Sequence, residues 1–166
     1  PSDALLAAIA DASHAVGVPL VAHVQGAGQA QRALAAGVDV LAHTPWTVAL
    51  PQDVIEAAAE RQTWISTLAM HRRGGDDVAF ATAVDNLARV AAAGGAVAYG
   101  TDLGNGGTRF DLDPLELAAR RQAGIEGTAL VDALLSEHLL PPGPSIGVVA
   151  APDVHDDATF LANLQR

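Results

Sequence analysis

The sequence predicts an α/β protein built on a parallel sheet, and three observations lead there. One unit recurs: a helix, a terminating glycine, a short apolar strand and a polar residue at the strand's end. Gly17 leads through VPLVAH to His23, and Gly37 leads through VDVLAH to His43 at the same offset (23 − 17 = 6 and 43 − 37 = 6). Gly94–Gly95 open a third copy, AVAYGT, which ends on Asp102. Next, each strand pattern is separated from the following one by a helix-length segment, the connection that parallel strands require. Finally, half of the 166 residues are hydrophobic and 17% are charged. That balance supports a packed core and excludes a disordered chain.

In chain order, Ser2 caps a helix whose apolar positions are Leu5, Leu6, Ile9, Ala12 and Val16, and Gly17 ends it. Val18–Val24 is then a buried strand. Gly26-Ala-Gly28 turns into a second helix reaching Ala36, and Val38–His43 is the next strand. Pro51 suits the first turn of a helix over 51–61. TWISTL, Thr63–Leu68, reads as a strand, and Met70–Asp77 as a polar loop. Asp76 or Asp77 caps a helix over Val78–Ala93, and Ala96–Thr101 is the fourth strand. Asp102–Asp113 is a glycine-rich loop, and Asp113-Pro114 has the chemistry to start a helix over 114–123, with another over 128–138. Beyond Leu139 the pattern weakens, leaving one strand candidate at Ile146–Ala150 and a short helix at 156–165.

Two parallel architectures compete, the closed (β/α)8 barrel and the open doubly wound sheet. Barrel chemistry sits at the C-terminal ends of several strands, where His23, His43 and Asp102 fall. By strand alternation His23 shares a face with Val21, His43 with Leu41, and Asp102 with Gly100 and Ala98. A barrel takes about 250 residues and eight strands. The expectation is therefore the second half, strands five to eight, of a TIM-type barrel, incomplete as given. Residues 1–139 form the half barrel, and 140–166 a C-terminal extension of undefined role. The chain opens on Pro1 inside an αβ pattern, as part of a longer protein would. Half a barrel exposes two strand edges, which predicts a missing N-terminal half or a copy of the chain as partner.

The formal net charge is −10 and the pI about 4.7, so nucleic acid and anionic membrane surfaces are poor partners. With no cysteine, disulfides, thiolate nucleophiles and cysteine metal sites are excluded together. No apolar run approaches the roughly 18 residues that span a bilayer, and no signal-peptide pattern opens the chain. A cytoplasmic location is expected.

A lone histidine is more often a hydrogen-bonded core residue than a ligand. Two at one offset on neighbouring strands, about 4.8 Å apart, are placed to share an ion or a substrate. Zinc needs three protein ligands besides its water, and Asp102 is the third candidate. Its bland alternative is an Asx-turn into the glycine loop. Trp46, His71 and Asn105 lie in loops leaving these strands and are candidate substrate contacts. His71-Arg72-Arg73 suits an anionic group on a substrate, although a solvated loop explains it more simply. Gly26-Ala-Gly28 is a weak dinucleotide signal, because position 31, where a third glycine belongs, is Gln. Asp111-Leu-Asp113 suits magnesium less well than helix capping. His14, His138 and His155 read as surface residues.

Residues 1 to about 124 resemble the C-terminal half of a metal-dependent amidohydrolase, in the branch near imidazolonepropionases and prolidase-like enzymes. The matching stretches are VPLVAHVQGAGQAQRALAAGVDVLAHTP and AAGGAVAYGTDLG. The resemblance implies hydrolysis of a C–N bond in a cyclic amide or dipeptide-like small molecule by a metal-activated water. It implies Zn2+ or another divalent metal, one ion or two. It makes His23 a metal ligand and His43 a ligand of a second metal or of substrate. Asp102 becomes both metal ligand and proton shuttle. It also implies a His-x-His pair on a first strand that lies outside this sequence. Two rival readings remain: a non-catalytic open-sheet domain binding a nucleotide or other ligand, and an inactive amidohydrolase remnant.

Overall fold

Helix caps set the frame in the computed structural model, which describes residues 1–104 and 112–135. Ser2 Oγ accepts the Leu5 N–H at the start of α1 (Asp3–Ala15). Asp76 does the same for Ala79 at α5 (Asp77–Ala92), and Asp113 for Leu115 at α6 (Pro114–Gln122). Each cap satisfies one of the backbone donors that a helix start leaves unpaired. Gly17 and Gly37 take positive φ, +72° and +81°, to turn the chain from helix into strand.

Between these helices run β1 (Val21–Ala22), α2 (Gln29–Ala35), β2 (Val40–Leu41), α3 (Gln52–Arg61), β3 (Thr63–Ile65), α4 (Ala69–Arg73) and β4 (Ala96–Ala98), and α7 (Gly127–Asp132) closes the described part. The sheet is parallel throughout, in the order β1-β2-β3-β4. Val21 pairs with Val40, Val40 with Thr63, and Thr63 with Ala96. One face carries Leu41, Trp64 and Val97 into a core with Ala30 and Ala33 of α2, Ile55 and Ala58 of α3, and Leu87 and Val90 of α5. The opposite face carries Val21, Thr63 and Ala96, of which Val21 is 51% exposed.

The four expected strands are present, but shorter. At their N-terminal ends the Asp39 carboxylate, not a neighbouring strand, accepts the Leu20 N–H at 2.7 Å, and it also binds His14 at 2.8 Å. Beyond their C-terminal ends the chain leaves extended backbone, with left-handed φ of +45° at Thr67 after β3 and +56° at Asp102 after β4. The polar loop expected over Met70–Asp77 instead begins as helix α4. Its polar residues hid two buried anchors, Ala69 and His71, and Ala69 N–H donates to the buried Glu116 carboxylate of α6 at 2.7 Å. The expected strand at 146–150, the helix at 156–165, His138, His155, Asp111 and the extension 140–166 lie outside the described residues. No described helix is long and apolar enough to cross a membrane.

Candidate functional site

His23 and His43 meet. Their ring centroids are 4.9 Å apart with planes at 81°, an edge-to-face contact. Strand alternation predicts this for His23, which follows Val21 on the open face. It fails for His43. Leu41 points into the helix-side core, and strict alternation would send His43 the same way. Register adds a second offset: Ala22 pairs with Leu41, so His23 stands one residue past its pair and His43 two. The chain bends after Leu41, and past the bend the His43 ring meets that of His23.

Trp46 joins them, 5.6 Å from His23 and 5.9 Å from His43 between ring centroids. Its other side meets His71 at 5.0 Å. The loop bearing Trp46 is held by a residue with no motif to announce it. Asn86 of α5, fully buried, donates from Nδ2 to the carbonyls of Pro45 and Val48, each at 2.9 Å, and its Oδ1 accepts the Leu50 N–H at 2.9 Å. Gly26 N–H donates to Thr47 Oγ1 at 3.0 Å, which ties the loop after β1 to the loop after β2.

His43 is half-buried, and burial holds its pKa below the ordinary 6.5; the charge of His23 lowers it further, while the Asp102 carboxylate pulls it back up. The Asp102 carboxylate thus acts on the His43 ring through its charge. Burial likewise lowers His71, with Asp76 opposing and His43 adding to the shift. Both rings are neutral at pH 7, the state in which imidazole binds a metal or donates a single hydrogen bond.

The neighbouring arginines are turned to other partners. Arg72 pairs with Asp77 at 3.0 Å and lies over the Phe80 ring at 4.3 Å, and Arg73 pairs with Asp113. The pairing of His71-Arg72-Arg73 with an anionic substrate group thus reduces to His71. Asp113 is spoken for twice, by Arg73 and by the cap of α6. His14 lies at the protein surface but is bonded to Asp39. Asn105 lies outside the described residues.

Among the described residues no three His, Asp or Glu side chains converge closely enough to hold one metal ion. Of the expected set of His23, His43 and Asp102, His43 turns one ring nitrogen, Nδ1, to Thr67 Oγ1 at 2.9 Å, which leaves Nε2 as its only nitrogen for a metal or substrate. The described donors are thus short of the three protein ligands a catalytic zinc takes.

No family model and no curated protein sequence matches the chain. Solved structures do match. Ochratoxinase of A. niger superposes with a TM-score of 0.67 at 20% identity, over 87% of this chain and 35% of that one. A Xaa-Pro dipeptidase with methionine bound in its active site gives 0.64 at 18% identity, over 83% and 38%. An uncharacterized protein gives 0.61 at 17% identity, over 98% and 46%. The likeness is one of fold, and the chain spans only 35% to 46% of the length of these structures.

Proposed function

We propose that this chain is the strand-five-to-eight half of a metal-dependent amidohydrolase barrel, acting on C–N bonds of neutral, amide-like small molecules. The observation that carries the reading is the meeting of His23 and His43 at the C-terminal ends of adjacent parallel strands, with the charge of Asp102 acting on His43. Reactive groups of a barrel gather at that end. The fold shared with a dipeptidase and with ochratoxinase supports the choice of bond. The walls supplied by Trp46 and His71 are aromatic and uncharged at pH 7, and the nearest arginines are occupied, so a flat neutral substrate suits them better than an anion.

Within that reading Asp102 takes a proton from the attacking water and passes it to the leaving nitrogen. His43 faces the carbonyl oxygen and holds the negative charge that develops there. A divalent ion, zinc or another, one or two, belongs to the reading only with ligands from outside the described residues. His23, Asp102 and, in a two-ion site, His43 are what this chain contributes.

The same reading gives the chain a partner. Leu5 and Ile9 of α1, Val16 at its C-terminal cap, Val18, and Val21 of the outer strand β1 are all exposed apolar side chains, Val16 at 73%. A further set of barrel strands would cover this edge.

The test is hydrolysis of neutral cyclic amides and N-acyl amino acid amides, with the free N-acyl amino acids and dipeptides as charged comparisons, by the longest polypeptide that carries this segment, with Zn2+ supplied. His23→Ala and Asp102→Asn are each expected to lower turnover at least about 100-fold. Turnover indifferent to both would sink the proposal and leave a ligand-binding domain with structural histidines.

A further inference from the structure

Thr67 has a conformation that its residue type resists. It is β-branched, yet its φ is +45°, in the left-handed region that such residues rarely enter. Strain of this kind persists only where the surroundings hold it, and it gathers at working sites. Here they do hold it. Thr67 N–H donates to Gly100 O at 3.2 Å, and the preceding Ser66 N–H donates to Ala98 O at 3.0 Å. Thr44 Oγ1 donates to the Ser66 carbonyl at 3.0 Å, fixing the strand end from the β2 side. Gly100 leaves room for the Thr67 side chain, since a Cβ there would stand 3.3 Å from Thr67 Cγ2 and 2.3 Å from Ile65 Cγ2.

The result of that holding is a single contact. Thr67 is 3% exposed, and among the described residues the only partner of its Oγ1 is His43 Nδ1, at 2.9 Å. A buried hydroxyl carries one proton that needs an acceptor. If Nδ1 held a proton and donated it to Oγ1, the hydroxyl's own proton would have no acceptor among the described residues. With Nδ1 unprotonated, both atoms are satisfied. The neutral ring then carries its proton on Nε2.

We propose that Thr67 is a positioning residue that sets the tautomer of His43, so that the ring presents an Nε2–H donor, not a lone pair, to the site. This rests on the functional reading above for its purpose, and it narrows that reading. His43 becomes a hydrogen-bond donor to a substrate or water oxygen, and metal ligation falls to His23, Asp102 and residues outside this chain. Nitrogen spectroscopy reads the protonated ring atom directly, which makes it the decisive test.

Long-range 1H–15N correlation spectra of the 166-residue chain at pH 8 read the protonated nitrogen of each histidine, with His43→Asn supplying the assignment. The expected result is one dominant His43 form, protonated on Nε2. Thr67→Val should lose that bias and give a mixture, and Thr67→Ser should restore it. Thr67→Gly accepts positive φ without strain, so it removes the hydroxyl even if the valine variant fails to fold, and it too should lose the bias. A wild-type ring protonated on Nδ1, or a bias unchanged in the glycine variant, overturns the proposal. The bias and its serine rescue in a protein whose carriers hydrolyse no amide would uphold the role of Thr67 and count against the hydrolase reading alone.

Discussion

Two half-buried imidazoles, His43 and His71, each packed against Trp46, make the site sensitive to acid. His43 and His71 have folded pKa values below 6.5, chiefly because burial disfavours their charged forms. In the unfolded chain both titrate near 6.5. Below that pH the unfolded state binds more protons, so stability is full above 6.5 and falls as pH drops towards the folded values. Asp76 beside His71 and Asp102 beside His43 oppose the effect without cancelling it. Thermal melts from about pH 7.5 to about pH 5.5 should show Tm declining, and His71→Gln should flatten part of the decline. A Tm that rises on acidification would contradict these assignments. Residue by residue, the repeated glycine-to-histidine offset points to His23 and His43 as neighbours, and the loop after His43 points to Trp46 beside them. Thr67 was not legible in the sequence, because its role comes from an unusual backbone angle that no spacing encodes.

The elements around the site depend on a few close fits. Asn86 looks like an ordinary polar position within a helix, yet it satisfies three backbone groups of the Pro45–Leu50 loop. Asn86→Ala would leave those groups buried without partners and should cost about 2–4 kcal/mol in chemical denaturation. It should also shift the emission of Trp46, whose loop loses its anchor. Gly95 lies where α5 hands over to β4, and a Cβ there would come within 2.5 Å of Val90 Cγ1 and 2.9 Å of Ala59 Cα. Gly95→Ala is expected to destabilise by roughly 1–3 kcal/mol through overpacking; an unaffected denaturation midpoint would show that the helix shifts freely. Helix starts were readable from Ser2, Asp76 and Asp113 because side-chain capping is local chemistry. α4 was hidden, since its polar residues mask anchors that only tertiary packing reveals. Strand ends were overdrawn for a related reason: a left-handed residue such as Thr67, inside the expected third strand, breaks the pleat, and apolar runs do not mark such angles.

For the molecule as a whole, a parallel four-stranded sheet with an apolar outer edge argues for company. Size-exclusion chromatography with light scattering should find self-association or binding of a complementary barrel half, weakened by Val16→Lys and Val21→Lys together. A stable monomer, indifferent to both changes, would count against the half-barrel assignment. The alternation of strands and helices was open to reading because parallel crossovers impose it. Which face each strand end turns to was not, and there the side chains themselves decide. One measurement bears on this above all: nuclear Overhauser contacts among the histidine and tryptophan ring protons of the folded chain. Rings 4.9 Å apart should give cross peaks between His23 and His43, and from both to the Trp46 indole. Histidine rings that show no contact with one another would dissolve the site and the hydrolase assignment with it.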